Sequence, residues 1–154
     1  MDVNDILAIS ASALRAERLR LDVISSNLAN ANTTRTPEGS GPYRRRNVVF
    51  ESRGLDVATA VDPETGFADT LATLSAEAVR RVEVNRVVED PSPLRLVFDP
   101  GHPDANADGY VAYPNVNPVA EMVDLMAATR AYEANVQAVN ATKRMAEAAL
   151  AIGA

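Results

Sequence analysis

Of nine prolines and seven glycines in the 154 residues, all but Pro118 and Gly153 lie between residues 33 and 117. Proline removes a helix donor and clashes with the preceding turn, and glycine weakens a helix interior. The two ends are therefore free to run as unbroken helices, while the middle must be cut into loops and short strands. This divides the chain into an N-terminal helix (1–32), a middle β/loop region (33–117) and a C-terminal helix (118–154). The expected fold class is mainly α with a small β region. The long terminal helices pair as an antiparallel coiled coil, and the middle supplies short antiparallel strands.

In the first helix Leu7, Leu14, Leu21 and Leu28 recur every seven residues. Ser10, Glu17, Ile24 and Ala31 follow each by three, so the stripe is polar at first and apolar around Leu21, Ile24 and Leu28. Asp2 or Asn4 caps the start, and Asn30 to Thr34 write the stop. About 28 residues at ~1.5 Å each reach roughly 42 Å, long for a compact domain of this size.

At the other end Asn117 is placed as N-cap, Pro118 at the first helical position and Glu121 in the first turn. Met122, Leu125, Thr129, Tyr132, Val136, Val139, Lys143, Ala146 and Leu150 then alternate steps of three and four, a coiled-coil-like seam with Lys143 its dissonant member. Alanines flank it and permit close helix approach. A two-helix core inside a monomer is the plainer alternative. Alanine accounts for 27 residues of a chain that is 47% apolar, so helix propensity is high and the core is thin. Such helices find burial on other chains. The residues assigned to helix pairing and subunit contact are Leu21, Ile24, Asn27, Leu28, Asn30, Met122, Leu125, Tyr132, Val136 and Val139.

Strands are expected at Tyr43–Phe50, Val79–Val88, Leu94–Phe98 and Tyr110–Tyr113. Asp62–Gly66 is a turn, and Leu71–Ala78 is too short to assign. Net charge is +2 over 1–50, −9 over 51–128 and +1 over 129–154, so the near-neutral ends suit association better than the acidic middle. Arg44-Arg45-Arg46 lacks the length and interleaved aromatics of a nucleic-acid patch. A hydrated face or an intersubunit contact to acidic residues suits it better.

No active site assembles. There is no Cys, and the one histidine, His102, lies between Asp99 and Asp104 in a Pro100–Pro103 turn that needs no metal. Asp104, Asn106, Asp108 and Gly109 match the opening of an EF-hand loop, but its twelfth position is Asn115, not Glu. Catalytic residues, metal ligands and cofactors are accordingly expected to be none. No stretch approaches the roughly 18 apolar residues that a membrane-spanning helix needs, and the acidic start lacks the features of a cleaved signal peptide.

Ser25-Ser26-Asn27-Leu28-Ala29-Asn30-Ala31-Asn32-Thr33 resembles the N-terminal signature of bacterial flagellar rod, hook and hook-associated proteins. In that family an amphipathic helix meets an S/N-N-L-A-N-x-x-T segment and then a Tyr/Arg stretch, here Tyr43-Arg44-Arg45. Glu121 to Val136, continuing through Asn140 and Lys143 to Met145, resembles the C-terminal partner. Phe98 to Ala105 and Gly109 to Asn117 resemble the C-type branch of the proximal rod subunits. The resemblance implies a structural subunit whose terminal helices pair and pack around the axis of a hollow helical shaft in the basal body. The shaft would cross the periplasm, transmit torque and pass exported subunits. Its implied partners are copies of itself, other rod subunits, the flagellar export apparatus and the membrane-ring base, with no nucleic acid and no small-molecule substrate. Export without a cleaved signal peptide is also implied. On this reading Leu28 is a buried knob and the amides of Asn27, Asn30 and Asn32 bond backbone of a neighbouring chain. Helix capping within the chain explains the same asparagines, and a soluble coiled-coil adaptor or chaperone remains the alternative function.

Overall fold

The computed structural model describes residues 3–37, 41–54 and 80–152. In chain order these form α1 (Val3–Ala29), β1 (Arg46–Gly54), β2 (Arg80–Glu89), β3 (Arg95–Phe98), β4 (Tyr110–Tyr113) and α2 (Pro118–Ile152). Two long helices and a few short antiparallel strands make the chain mainly helical with a small β region. The turn expected at Asp62–Gly66, the run Leu71–Ala78 and the caps at Asp2 and the Asn4 side chain fall outside the described residues. Contacts divide the chain into two compact units, Arg18–Val49 with Arg86–Arg130, and Met1–Glu17 with Phe50–Asn85 and Ala131–Ala154.

The helix ends follow from local chemistry. At the close of α1 the Asn30 backbone N–H and its Nδ2 both donate to the Ser26 carbonyl, at 3.0 and 2.9 Å. Asn30 thus does capping work within its own chain. At the start of α2 the Asn117 Oδ1 accepts from the amides of Val119 and Ala120 at 3.0 and 3.4 Å, with Pro118 first in the helix.

Solvent exposure along α2 sets a different row from the apolar pattern. Glu121, Ala128 and Thr142 are buried, whereas Met122, Thr129 and Lys143, each one residue later, are exposed. Leu125, Tyr132, Val139 and Ala146 are half-buried, and Asn135 and Val136 share the intermediate ground. Of the expected seam, Leu125, Tyr132, Val136, Val139 and Ala146 keep their phase, Met122, Thr129 and Lys143 give way to the residue before each, and Leu150 is 75% exposed. The polar members of the row satisfy themselves: Thr142 Oγ1 and Asn135 Nδ2 each donate to the carbonyl four residues earlier, at 3.0 Å. On α1, Ile24 is buried, Leu21 and Leu28 are half-buried, and Arg15, Arg18, Asp22, Ser25 and Ala29 face solvent.

β1 and β2 form one two-stranded sheet and β3 and β4 another. The ion pairs Arg46–Glu89 at 3.8 Å and Arg53–Glu83 at 3.1 Å sit at opposite ends of β1 and give β2 the reverse direction. β1 starts later than Tyr43 because that segment is engaged elsewhere: Tyr43 N–H donates to the Thr33 carbonyl and Arg45 N–H to Asn115 Oδ1. Ser12 links α1 to β2, its Oγ donating to the Ile9 carbonyl and accepting the Val82 amide at 3.2 Å.

β3 and β4 are antiparallel, with Arg95 opposite Tyr113 and Phe98 opposite Tyr110. Their connection contains the two histidine-flanking aspartates. Asn106 Oδ1 accepts the amides of Asp108 and Tyr110, and His102 Nδ1 accepts the Asp104 amide at 3.1 Å, so these side chains shape the turn. Gly109 closes it at a φ of 80°, and a Cβ there would lie 2.9 Å from the Phe98 ring. Gly109→Ala is expected to cost at least about 1–2 kcal/mol, the usual penalty for a side chain in the left-handed region, because the exposed Phe98 ring can swing aside but the Pro100 Cβ, 3.3 Å from the new methyl, must also give. Denaturant unfolding reads this directly, and an unchanged midpoint would contradict it.

Candidate functional site

The C-terminal end of α1, the segment entering β1 and the first turn of α2 meet in a buried polar junction. Asn27 is 1% exposed and spends all of its hydrogen-bonding capacity within the chain. Its Nδ2 donates to the Arg46 carbonyl at 2.8 Å and to Glu121 Oε2 at 3.0 Å. Its Oδ1 accepts the Arg46 amide and the Tyr43 hydroxyl, both at 2.9 Å. The side-chain amide therefore pairs with both backbone groups of Arg46 as a neighbouring strand would. Only the carboxamides of Asn and Gln set two donors and two acceptor lone pairs side by side in this way, and Gln is one methylene longer.

Glu121 is 0% exposed. A buried carboxylate needs a counter-charge and hydrogen bonds, and both are present. Arg45 Nε approaches Oε1 at 2.6 Å while Asn27 holds Oε2. The first turn of α2 adds the positive end of its dipole. Arg45 also meets Asp124, one turn further along α2, at 3.4 Å and Asp90 at 3.8 Å. Asn115 locks the other side: its Oδ1 accepts the Arg45 amide and its Nδ2 donates to the carbonyls of Asp90 and Ser92. The hydroxyl and backbone amide of Ser92 hold the Asp90 carboxyl below its ordinary range, with smaller help from Arg45 and Arg44. Tyr43, whose hydroxyl bonds Asn27, also forms a small apolar cluster with Ala31 and Val116.

Among the residues assigned to helix pairing and subunit contact, the junction contains Asn27, with Ile24 buried one turn before it. Leu21, Leu28, Asn30, Leu125, Tyr132, Val136 and Val139 are half-buried, and Met122 is 55% exposed. Arg45 and Glu121 were not in that set. Arg45 is drawn into its own chain's carboxylates rather than left on a hydrated face or an intersubunit contact, and Arg46 pairs with Glu89 on β2. Glu121 lies on the inward row that the structure sets, whereas apolar periodicity selects Met122 beside it, so no local signal marks it.

Nothing in the junction is arranged for chemical turnover: its buried side chains, Asn27 and Glu121, are bonded to other groups of the same chain. Among the described residues no cluster of three His, Asp or Glu could hold a metal ion, and no helix is long and apolar enough to cross a membrane. The arrangement holds segments together.

Comparison with known proteins agrees in both halves of the junction. Residues 7–35 match the family described as Flagella basal body rod protein, and residues 107–152 the family described as Flagellar basal body rod FlgEFG protein C-terminal. The flagellar basal-body rod protein FlgC of Bacillus subtilis is 49% identical over 150 residues, 96% of this chain and 95% of the relative. FlgC of Borreliella burgdorferi is 45% identical over 94% of this chain and 93% of the relative. FlgC of Salmonella typhimurium is 40% identical over 99% of each. The chain belongs to the FlgC family of flagellar basal-body rod proteins, and it is a structural subunit rather than an enzyme.

Proposed function

We propose that this chain polymerises with copies of itself and with other rod subunits into the hollow helical shaft of the proximal rod, its two long helices pairing as an antiparallel coiled coil. The observation that carries this reading is the Asn27–Glu121–Arg45 junction. It joins the C-terminal end of α1 to the N-terminal end of α2, the relation an antiparallel pair requires. Delivery through the flagellar export apparatus, contact with the membrane-ring base and a position across the periplasm belong to the same proposal, as do torque transmission and passage of later subunits.

In this account Leu21, Ile24 and Leu28 face Leu125, Tyr132, Val136 and Val139 across helix–helix contacts within and between subunits. A defect there recurs in every copy, so a cost tolerable in a monomer stops assembly. Leu28→Asp sets a carboxylate without a partner into that surface. Cells expressing only this chain are expected to make soluble subunit, build no rod beyond the point where it enters, and not swim. Counting basal structures by electron microscopy tests this. Normal rods carrying hooks in that strain would remove the stripe from the assembly surface.

A further inference from the structure

Two apolar patches remain uncovered on the unit formed by Arg18–Val49 and Arg86–Arg130. The first is a strip on the opening turns of α2. Val119 is 70% exposed, and Met122, Val123 and Met126 are each more than half exposed. The spacing of three, one and three puts them on one face of the helix. The second is the outer face of the β3–β4 hairpin. The register sets Leu96, Phe98, Tyr110 and Ala112 on one side, of which Leu96, Phe98 and Tyr110 are exposed. Val111, on the opposite side, is fully buried. Phe98 and Tyr110 stand edge to face with centroids 5.3 Å apart. Both patches are open in the isolated chain, so neither covers the other.

We propose that the Val119–Met126 strip of one copy docks on the Leu96–Phe98–Tyr110 face of a second copy of this chain. This rests on the rod reading above and names the surfaces through which copies meet. The chemistries are complementary: two flexible thioethers oppose two aromatic rings, and sulfur–aromatic contacts are favourable and tolerant of geometry. The contact also joins two different surfaces. Strip against strip would close a two-fold dimer and leave the aromatic face bare. Strip against hairpin covers both and repeats head to tail, the form of contact that generates an open helical array. The areas agree with assembly only in company. The strip offers roughly 400 Å² and the hairpin face roughly 350 Å². Together they fall short of the ~1,200 Å² at which a specific interface stands alone. A dilute chain stays monomeric, and the contact forms where further neighbours add area.

The chain has no cysteine, so introduced thiols report without background. Basal bodies are purified from strains carrying Met126→Cys, Phe98→Cys or both, and treated with a short bismaleimide. The double variant is expected to give a dimer and higher species that neither single variant gives. A dimer from Met126→Cys alone would show strip facing strip and overturn the proposal. So would no cross-link from the double variant while the chain is present in the particle. Peroxide oxidation of the wild-type chain keeps the proposal testable if the variants fail to incorporate. Sulfoxide at Met122 and Met126 is expected to fall at least tenfold from dilute chain to basal body, and equal oxidation in both would refute a covered strip. Absence of the wild-type chain from purified basal bodies would instead refute the rod reading itself.

Discussion

Glu121→Ala is expected to lower unfolding free energy by about 3 kcal/mol, the low end of the range for breaking a buried ion pair by removing one partner. The carboxylate is wholly buried and accepts from both Arg45 and Asn27. Its loss strands a guanidinium and a buried amide together. The effect stays at the low end because Arg45 retains Asp124 and Asp90. Glu121→Gln keeps the shape but offers one acceptor where two are needed, so its NH₂ must face either Arg45 or Asn27, donor against donor. That variant should lose about 1–2 kcal/mol, close to one unsatisfied buried group. Denaturant unfolding of the purified chain orders the three, and equal stability of wild type and Glu121→Ala would show that the pair holds nothing.

Asn27→Ala should be at least as damaging, about 3–4 kcal/mol. Four hydrogen bonds disappear, and two of the orphaned groups are the backbone N–H and carbonyl of Arg46, each costing about 1–3 kcal/mol when buried without a partner. The losses are not additive, since Glu121 shares the network. A double-mutant cycle between Asn27→Ala and Glu121→Ala is expected to show coupling of about 0.5–3 kcal/mol. The local readout is amide exchange at Arg46, which should lose its protection in Asn27→Ala. Retained protection there would mean that another group accepts this N–H. Asn27→Asp keeps the size but sets a second carboxylate beside Glu121, in the place of a donor now 3.0 Å away. That variant should be no more stable than Asn27→Ala, because two carboxylates then face each other where a hydrogen bond stood.

The terminal helices were legible because their boundaries are written in residues with local causes. Asn117 and Pro118 start α2 and Asn30 ends α1 through bonds spanning only a few positions. The strands were found by their valines, though β1 begins and ends later than Tyr43–Phe50 because Tyr43 and Arg45 are held by partners far along the chain. The buried row of α2 was partly misread for the same kind of reason. Apolar periodicity selects Met122 over Glu121, since a glutamate reads as a surface residue until its counter-charge is known. That counter-charge is Arg45, 76 positions earlier, and no local pattern joins the two. Likewise Asn27 reads as a cap or an intersubunit amide. Only the return of residues 43–46 past the end of α1 reveals that it mimics a strand neighbour. Long-range polar pairing, rather than hydrophobic pattern, is what the sequence conceals here.

The most direct measurement is a density map of the isolated basal body at side-chain resolution. It should show this chain in the proximal rod, with Asn27 bonded to Glu121 of the same chain and α1 packed antiparallel along α2. A rod lacking this chain, or one in which Asn27 and Glu121 of each subunit lie apart and bond to different neighbours, would contradict the account.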